Sequence, residues 1–302
     1  MDTITPFENV RSGLVAIVGP PNAGKSTLMN CLLGQKISIV TPKPQTTRNR
    51  ILGVLNSADH QIVLVDTPGL HKADQVLNRE MVRIAMESLA DVDAILFLLD
   101  ASILAKNTGR KGIDLGKYLS QTNAPVFLVL NKIDMVERGK LLPIIDQYKE
   151  QFAFESILPV SAKTGEGTTV LVDEILRVLP YGPRYFPEDI PTDSSERFLV
   201  GEIIREKVFL LTGQEIPYST AVVIDAFIEE SRTMTIHASI VVEKASQKGI
   251  IIGKGGRKLK SIGIAARKDI EKMVGEKVLL KLWVKVKKNW TENSGFLKEL
   301  GF

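Results

Sequence analysis

The residues with the clearest chemical potential lie in the stretch GPPNAGKST, Gly19 to Thr27. Glycines let backbone N–H groups turn inward around phosphate oxygens, and the start of a helix adds partial positive charge. The stretch matches G-x-x-x-x-G-K-[ST] and stands between a strand-like run and a helix-like segment, as this pattern requires. We therefore predict a phosphate-binding loop in which Lys25 reaches the β- and γ-phosphates and the Ser26 hydroxyl binds Mg²⁺. A chance glycine turn before a helix is the alternative.

Three further motifs predict a guanine nucleotide, GTP or GDP. DTPG, from Asp66 to Gly69, supplies a carboxylate for the Mg²⁺ shell and an N–H group for a γ-phosphate. NKID, which ends at Asp134, offers a carboxylate to two N–H donors of guanine that adenine lacks, and SAK offers a backbone N–H to the guanine oxygen. Four motifs in this order exclude the chance turn. The predicted nucleotide-binding residues are Gly19, Pro20, Pro21, Asn22, Ala23, Gly24, Lys25, Ser26, Thr27, Asp66, Thr67, Pro68, Gly69, Leu70, Asn131, Lys132, Asp134, Ser161, Ala162 and Lys163.

The elements that must hold these motifs alternate between short apolar runs and helix-like segments. The predicted strands are LVAIVG, QIVLVDT, AILFLLD, PVFLVLNKID and SILPVSA. The predicted helices cover 25–33, 77–89, 113–120, 141–150 and 167–178. This alternation predicts an α/β fold, a doubly wound and mainly parallel sheet whose ligands bind at the carboxyl ends of its strands. Residues 47–56 are expected to form an antiparallel edge hairpin with the strand that follows.

The pattern changes after VLPYGPRYFPEDIPTDSSE, a segment with four prolines and no apolar period, which predicts an extended linker. Beyond it we predict a helix over 195–212, two strands, two helices separated by GKGG, and a final strand. The order is α-β-β-α-α-β, a smaller α+β fold. The predicted division is a first domain at 1–180, a linker at 181–194 and a second domain at 195–302.

The charge of the chain is concentrated in this second domain. Residues 244–288 contain 14 Lys and Arg residues and three acidic residues, so their charge of +11 leaves −7 for the rest of a chain whose net charge is +4. A basic segment around a G-x-x-G loop indicates single-stranded nucleic acid, although a merely solvated basic face is the alternative. The predicted RNA-binding residues are Ile252, Gly253, Lys254, Gly255, Gly256, Arg257, Lys258 and Lys260.

Composition restricts the cellular setting. Cys31 is the only cysteine, which excludes an intrachain disulfide, and the three histidines match no metal spacing. The start of the chain lacks the pattern of a secretory signal, and no apolar run reaches the ~20 residues of a membrane span. We expect a soluble, cytoplasmic monomer. Trp283 interrupts a lysine-bearing strand, and we expect it to pack on a helix, with base stacking as the alternative.

The motifs together resemble a known family. The first half is similar to GTPases of the Era and TrmE class, and the second half resembles a type II KH domain. QTTR, DTPGLH and the terminal WTENSGFLKELGF resemble the first switch, the second switch and the end of the Era family of ribosome-assembly GTPases. The resemblance covers essentially the whole chain. It implies GTP hydrolysis and, as partners, the 3′ region of 16S rRNA and the small ribosomal subunit.

The resemblance also implies roles for individual residues. Thr47 joins Ser26 as a Mg²⁺ ligand. In related potassium-stimulated GTPases an Asn in the phosphate loop helps to hold K⁺, so Asn22, Thr41 and Thr46 are the implied K⁺ ligands, and the alternative is that Asn22 only braces the loop. The implied catalytic residues are Lys25, Thr47, Asp66 and Gly69.

Hydrolysis in this chain needs an explanation that differs from Ras. Leu70 stands where a Ras-like enzyme has a Gln that orients the attacking water, and a leucine cannot hydrogen-bond water. The sequence leaves three possible functions, which differ in the role of hydrolysis and in the partner of the basic domain. They are a GTP-hydrolysing switch on rRNA, a nucleotide-gated RNA-binding module with incidental hydrolysis, and a GTPase with peripheral membrane association.

Overall fold

The computed structural model describes residues 10–70, 76–106, 115–119, 122–213, 216–230 and 233–301. The chain forms two compact units. The first comprises 1–38, 47–72 and 81–193, and the second comprises 39–46, 73–80 and 194–302. His71 of the DTPGLH motif lies outside the described residues.

A seven-stranded sheet forms the centre of the first unit. Its strands are β1 (Val10–Val18), β2 (Ile51–Asn56), β3 (His60–Asp66), β4 (Ala94–Asp100), β5 (Val126–Asn131), β6 (Ser156–Pro159) and β7 (Tyr181–Gly182). The order is β2-β3-β1-β4-β5-β6, parallel except for β2, which runs antiparallel to β3, and β7, which pairs antiparallel with β1. β4 and β5 are buried along their whole length because helices cover the sheet, which explains their uninterrupted apolar sequences.

Six helices accompany this sheet. They are α1 (Lys25–Leu33), α2 (Val76–Glu87), α3 (Ala101–Leu104), α4 (Gly116–Leu119), α5 (Leu141–Lys149) and α6 (Thr168–Val178). The prediction for 25–33 is confirmed without change, and the helix predicted over 113–120 is described only as α4, since 113, 114 and 120 lie outside the described residues. The predicted edge hairpin is confirmed, since β2 pairs antiparallel with β3 at the edge of the sheet, but its first strand begins at Ile51 and not at residue 47.

The proline-rich segment is extended, as predicted, but it is bound along the first sheet. The Val54 N–H donates to Pro191 O at 2.8 Å, and the Thr192 hydroxyl donates to Leu52 O at 2.6 Å. The Gln61 amide, in turn, donates to Phe186 O at 2.8 Å. The first two bonds satisfy backbone groups of β2, the edge strand, and the first unit extends to residue 193.

The second unit contains a three-stranded sheet with helices packed on one face. Its main elements are α7 (Glu196–Leu211), β8 (Thr220–Glu230), β9 (Thr233–Val242), α8 (Ala245–Ile252), α9 (Arg257–Val274), β10 (Lys277–Val286) and α10 (Ser294–Glu299). The order is β10-β9-β8, with β10 parallel and β8 antiparallel to β9. The predicted α-β-β-α-α-β order is thus confirmed. The alternate residues Met234, Ile236 and Ala238 of β9 are buried in a core with apolar residues of α7, α8 and α9.

Residues 39–46, between the phosphate loop and β2, pack against α7 within the second unit. The Val40 N–H donates to Glu206 Oε1 at 3.0 Å, and Arg205 Nη2 donates to Thr46 O at 2.6 Å. The Lys43 ammonium donates to the carbonyls of Phe209 and Thr212 at the end of α7. Because these bonds join residues about 160 positions apart in sequence, local sequence patterns gave no indication of them.

None of the helices in the described part of the chain is both long enough and apolar enough to cross a bilayer.

Candidate nucleotide site and nucleic-acid groove

The phosphate loop has the backbone geometry that its glycines allow. Gly24 has a φ of 100°, and a Cβ there would lie 2.2 Å from Asn131 Nδ2. Gly19 has a φ of 145°, and a Cβ there would lie 2.3 Å from Leu98 O. Both positions therefore require glycine, because a side chain would be strained and would collide with fixed atoms.

Lys25, the first residue of α1, is buried under this loop. Its ammonium donates to Gly19 O and Pro20 O, each at 3.1 Å. Burial lowers the pKa of Lys25 to about 8, while the charge of Asp66 acts in the opposite direction. An anionic phosphate would offset this desolvation, so the residue is suited to a phosphate contact.

Three hydroxyl groups converge on Asp66 at the end of β3. Ser26 Oγ, Ser38 Oγ and Thr47 Oγ1 donate to Asp66 Oδ2 at 2.6, 2.8 and 3.4 Å, and the Ser26 and Thr47 oxygens are 2.7 Å apart. Asp66 is fully buried, which raises its pKa, and its Oδ1 has no hydrogen-bond partner among the described residues. A compact set of oxygens around a buried carboxylate with an unpartnered atom fits a hard cation such as Mg²⁺. The sequence predicted Ser26, Thr47 and Asp66 but missed Ser38.

The rest of DTPG contacts the phosphate loop. A Cβ on Gly69 would lie 2.9 Å from Pro21 Cα, and the Leu70 N–H donates to Gly19 O at 3.0 Å. The Thr67 hydroxyl donates to Ile17 O at 2.9 Å. Leu70 is buried with apolar residues of the first sheet, so its side chain serves the core.

The NKID and SAK motifs meet beside the phosphate loop. Asn131 Nδ2 donates to Ala23 O at 2.8 Å, and the Ala162 N–H donates to Asn131 Oδ1 at 3.0 Å. The Ser161 hydroxyl donates to Asp134 Oδ1 at 2.8 Å and thereby orients this exposed carboxylate. The four motifs therefore lie at the carboxyl ends of β1, β3, β5 and β6, as predicted.

Lys132 has a partner that the sequence did not reveal. Its ammonium donates to Asp100 Oδ2 at 2.6 Å, and its φ of 67° places it in the left-handed region. Asp100 ends β4 and also accepts from Ser102. β4 carries no nucleotide motif, so this carboxylate was not identified as part of the site.

The implied K⁺ ligands fall in different units. Asn22 lies in the phosphate loop with a φ of 62°, in the first unit. Thr41 and Thr46 lie in the second unit, where their hydroxyl oxygens are 2.6 Å apart.

The GKGG loop joins α8 to α9 in a shape that depends on glycine. Gly253, Gly255 and Gly256 have φ values of 70°, 61° and 76°. A Cβ on Gly253 would also lie 2.7 Å from Lys258 Cβ. On one side of the loop, Leu211 and the residues Gly253, Lys254, Arg257, Lys258 and Ser261 line a cavity of about 410 Å³.

A groove of about 390 Å³ lies on the other side, between α9 and β10. Its lining residues are Gly256, Leu259, Lys260, Gly263, Ile264, Arg267, Leu279, Leu280 and Leu282. It combines an apolar wall with two cations, and the strand that borders it is the edge strand β10. The sequence analysis predicted Gly256 and Lys260 as RNA-binding residues but did not identify the apolar residues that line the groove. Ile252 is partly buried against the core and is absent from both linings.

Comparisons with known proteins cover both units. Residues 14–132 match a family described as 50S ribosome-binding GTPase, and residues 215–291 match the KH domain family. The protein named GTPase Era of Geobacter metallireducens is 50% identical over 97% of this chain and 98% of its own length. That of Syntrophus aciditrophicus is 49% identical over 97% of this chain and 95% of its own length.

Two solved structures are similar over nearly the whole chain. A variant of Aquifex aeolicus Era bound to GDP·AlF4⁻ superposes with a TM-score of 0.91 at 41% identity, covering 97% of this chain and 99% of its own. Era in complex with MgGDPNP and nucleotides 1506–1542 of 16S ribosomal RNA gives 0.92 at 41% identity, with the same coverage.

Proposed function

This chain belongs to the Era family of GTPases, and from this premise we propose that it is a GTP-hydrolysing switch that binds the 3′ region of 16S rRNA and assists assembly of the small ribosomal subunit. The convergence of Ser26, Thr47 and Asp66 beside the buried Lys25 is the observation that carries the nucleotide part. The relative solved with MgGDPNP and an rRNA fragment supports the RNA part.

Each residue has a chemical task in this proposal. Ser26 and Thr47 would hold Mg²⁺, and Asp66 would orient their hydroxyls; the ion would supply positive charge to offset charge that develops on the phosphates. Lys25 and the N–H groups from Gly19 to Thr27 bind the phosphate oxygens, and Gly69 reports the γ-phosphate. Asp134, oriented by Ser161, selects guanine, because its carboxylate accepts from two N–H donors of guanine and would be left unpaired against adenine.

Potassium is the second cation of this proposal. Since Leu70 is buried in the core and cannot orient water, another group must supply charge or orientation at the γ-phosphate. Asn22, Thr41 and Thr46 offer neutral oxygens of the kind that binds K⁺. The competing role of Asn22 is to brace the phosphate loop.

The second unit supplies the RNA site in this proposal. The left-handed glycines of GKGG allow phosphates to approach the backbone, and Lys254, Arg257 and Lys258 beside them provide positive charge. The groove between α9 and β10, of about 390 Å³, supplies an apolar wall beside this loop. We assign nucleotide chemistry to 1–180, RNA binding to 195–302 and the connection to 181–194. We also expect a monomer in the cytoplasm, and the lone Cys31 suits the reducing conditions of that compartment.

Phosphate release from GTP and ATP tests the catalytic part, and filter binding of the 16S fragment 1506–1542 tests the RNA part. We expect turnover of GTP but not of ATP, and a loss of roughly 10²-fold or more in Lys25→Ala, because one preorganised cation is removed from the phosphates. Lys36→Ala, an exposed lysine just after α1, is the matched control and should retain turnover. Equal turnover of ATP, or a fully active Lys25→Ala protein, would contradict the assignment.

A further inference from the structure

Trp283 lies on the face of the second sheet opposite the core that α7, α8 and α9 cover. The sequence favoured packing on a helix, but this expectation is wrong, since 45% of the residue is exposed. Its neighbours in sequence, Leu282 and Val284, face the core that α7, α8 and α9 cover, and successive side chains of a strand point to opposite faces. We call this opposite side the outer face. Its residues are Lys277, Leu279, Lys281, Trp283 and Lys285 of β10, Thr235, His237 and Ser239 of β9, and Asp225, Ala226 and Ile228 of β8.

The indole of Trp283 contacts one neighbouring ring while much of its surface is exposed to solvent. The His237 ring contacts it edge-on, with ring centroids 5.3 Å apart and planes at 70°. An exposed aromatic ring lacks the favourable free energy of burial. A ring that is fixed by a neighbour on one side can stack with another planar group on its exposed side. The geometry is that of a stacking platform.

The charges around Trp283 select the partner. Lys277, Lys281 and Lys285 alternate with Leu279 and Trp283 along β10, and Asp225 of β8 is an acidic residue on the same face. A bulge in β8 places Asp225 on this face, where it accepts from Ser239 Oγ at 2.5 Å and from Lys285 Nζ at 3.3 Å. The face therefore keeps an excess of positive charge, which suits a polyanion and disfavours an apolar protein surface.

The outer face is also continuous with the groove beside GKGG. Leu279 lines that groove and, at 48% exposure, belongs to the same alternating row as Trp283. The two residues are four positions apart on one strand, about 13 Å. A strand of RNA that leaves the groove at Leu279 therefore meets Trp283 next.

We propose that RNA bound in the groove continues around the edge strand β10 onto the outer face, where one unpaired base stacks on Trp283 and its phosphates contact Lys281 and Lys285. This inference rests on the proposed RNA-binding function and extends its footprint. Base–aromatic stacking tolerates any base, because each base has a π-face. Trp283 therefore adds affinity and little sequence preference.

Tryptophan fluorescence of the full chain isolates this contact. The chain has two tryptophans, and Trp290 is fully buried with its Nε1 bonded to Ser219 O, so Trp283 is the one that RNA can reach. Titration with the 16S fragment 1506–1542 should quench the emission of the unmodified protein. In Trp283→Phe the remaining emission should stay unchanged while binding persists.

Affinity gives the second readout. Trp283→Ala should bind the fragment about tenfold to a hundredfold more weakly, whereas a short RNA of about six nucleotides, enough for the four positions of a KH groove, should bind equally to both proteins. Ile228→Ala, an equally exposed residue on β8 of the same face, is the matched control and should change affinity by no more than about twofold.

The outcomes separate this inference from the proposed function. If the fragment binds, and binding is lost in the combined variant Lys254→Asp with Gly255→Asp, the RNA function stands. Unchanged emission together with wild-type affinity of Trp283→Ala would then overturn the stacking contact alone, and would leave the outer face for a protein partner. If the unmodified protein does not bind the fragment, the proposed RNA function itself fails.

Discussion

Individual residues of the nucleotide site show how burial prepares a cation site. Asp66 is buried, accepts from three hydroxyls on one oxygen and keeps the other without a partner among the described residues. Lys25 is buried nearby, and burial lowers its pKa to about 8. Each charged group is costly by itself in such surroundings, and a bound Mg²⁺ with phosphates offsets both costs.

The K⁺ proposal makes a prediction at the scale of one residue. GTP hydrolysis should be faster in KCl than in NaCl at equal ionic strength, because oxygens spaced for K⁺ contact the smaller Na⁺ poorly. Asn22→Ala should remove most of the difference, since it removes one oxygen ligand. Turnover rates in the two salts are the measurement.

One control keeps this experiment specific. Asn30→Ala is unsuitable because Asn30 fastens Ile37 and Ser38, so Asn123→Ala, at an exposed position before β5, serves as the matched Asn variant. It should retain the preference for KCl. Identical rates of the unmodified protein in both salts would leave Asn22 as a loop brace.

Residue roles were predictable where the motif itself carries the chemistry. Ser26, Asp66 and Asp134 follow from their spacing to glycines and strands, and the structure brings their motifs to one edge of the sheet. Ser38 and Asp100 were not predictable, because they reach the site from segments without a motif. Trp283 was misjudged because the alternation of a strand shows which residues share a face, not whether a helix covers it.

Among the elements, α7 combines a core role with a second task. Its apolar residues pack on the sheet of the second unit, while its polar residues hold the segment 39–46. Lys43 caps the end of the helix, where carbonyls lack partners within the helix and attract cations. The segment that contains Gln45 and Thr46, the first half of the predicted first switch QTTR, therefore belongs to the unit proposed to bind RNA.

This arrangement predicts the effect of removing the Lys43 cap. Lys43→Ala should loosen 39–46 from α7, because two charge-assisted hydrogen bonds of about 1.5–3 kcal/mol each are lost. The Val40 amide, which donates to Glu206, is the reporter. Its hydrogen exchange, measured with GDP present, should become at least about tenfold faster.

Lys248→Ala is the matched control for this substitution. Lys248 is an exposed lysine of the same unit, on α8, and its removal should leave exchange at Val40 unchanged. Unaltered exchange in Lys43→Ala would mean that Glu206 and Arg205 hold the segment without the cap.

The elements themselves were largely predictable, whereas their long-range partners were not. Buried parallel strands and amphipathic helices leave periodic patterns in the sequence, and both sheets follow them. The proline-rich segment was correctly seen as extended, but its bonds to Leu52, Val54 and Gln61 join distant parts of the chain. Proline spacing determines conformation and gives no information on such partners.

At the scale of the whole molecule, charge separates the two tasks. The basic segment 244–288 carries +11 while the remainder carries −7, so a polyanion is attracted to one part of the chain only. The overall charge of +4 conceals this asymmetry. RNA and nucleotide binding should therefore respond differently to ionic strength.

The final prediction combines salt with a charge reversal. If about four basic residues contact phosphates, log K for the 16S fragment should fall with log salt concentration at a slope of about −3, because single strands release about 0.7 counterion per contact. Lys254→Asp with Gly255→Asp should lower affinity at least about tenfold and flatten the slope, since it repels phosphates and constrains a loop residue whose φ is 61°. GTP affinity should stay unchanged.

Gly139→Asp with Lys140→Asp makes the same change of charge at an exposed Gly-Lys pair in the first unit, where a Cβ on Gly139 meets no atom within 4 Å. Filter binding across a salt series should show near-normal RNA affinity for this control; equal losses in both variants would mean that total charge, and not the GKGG loop, governs binding.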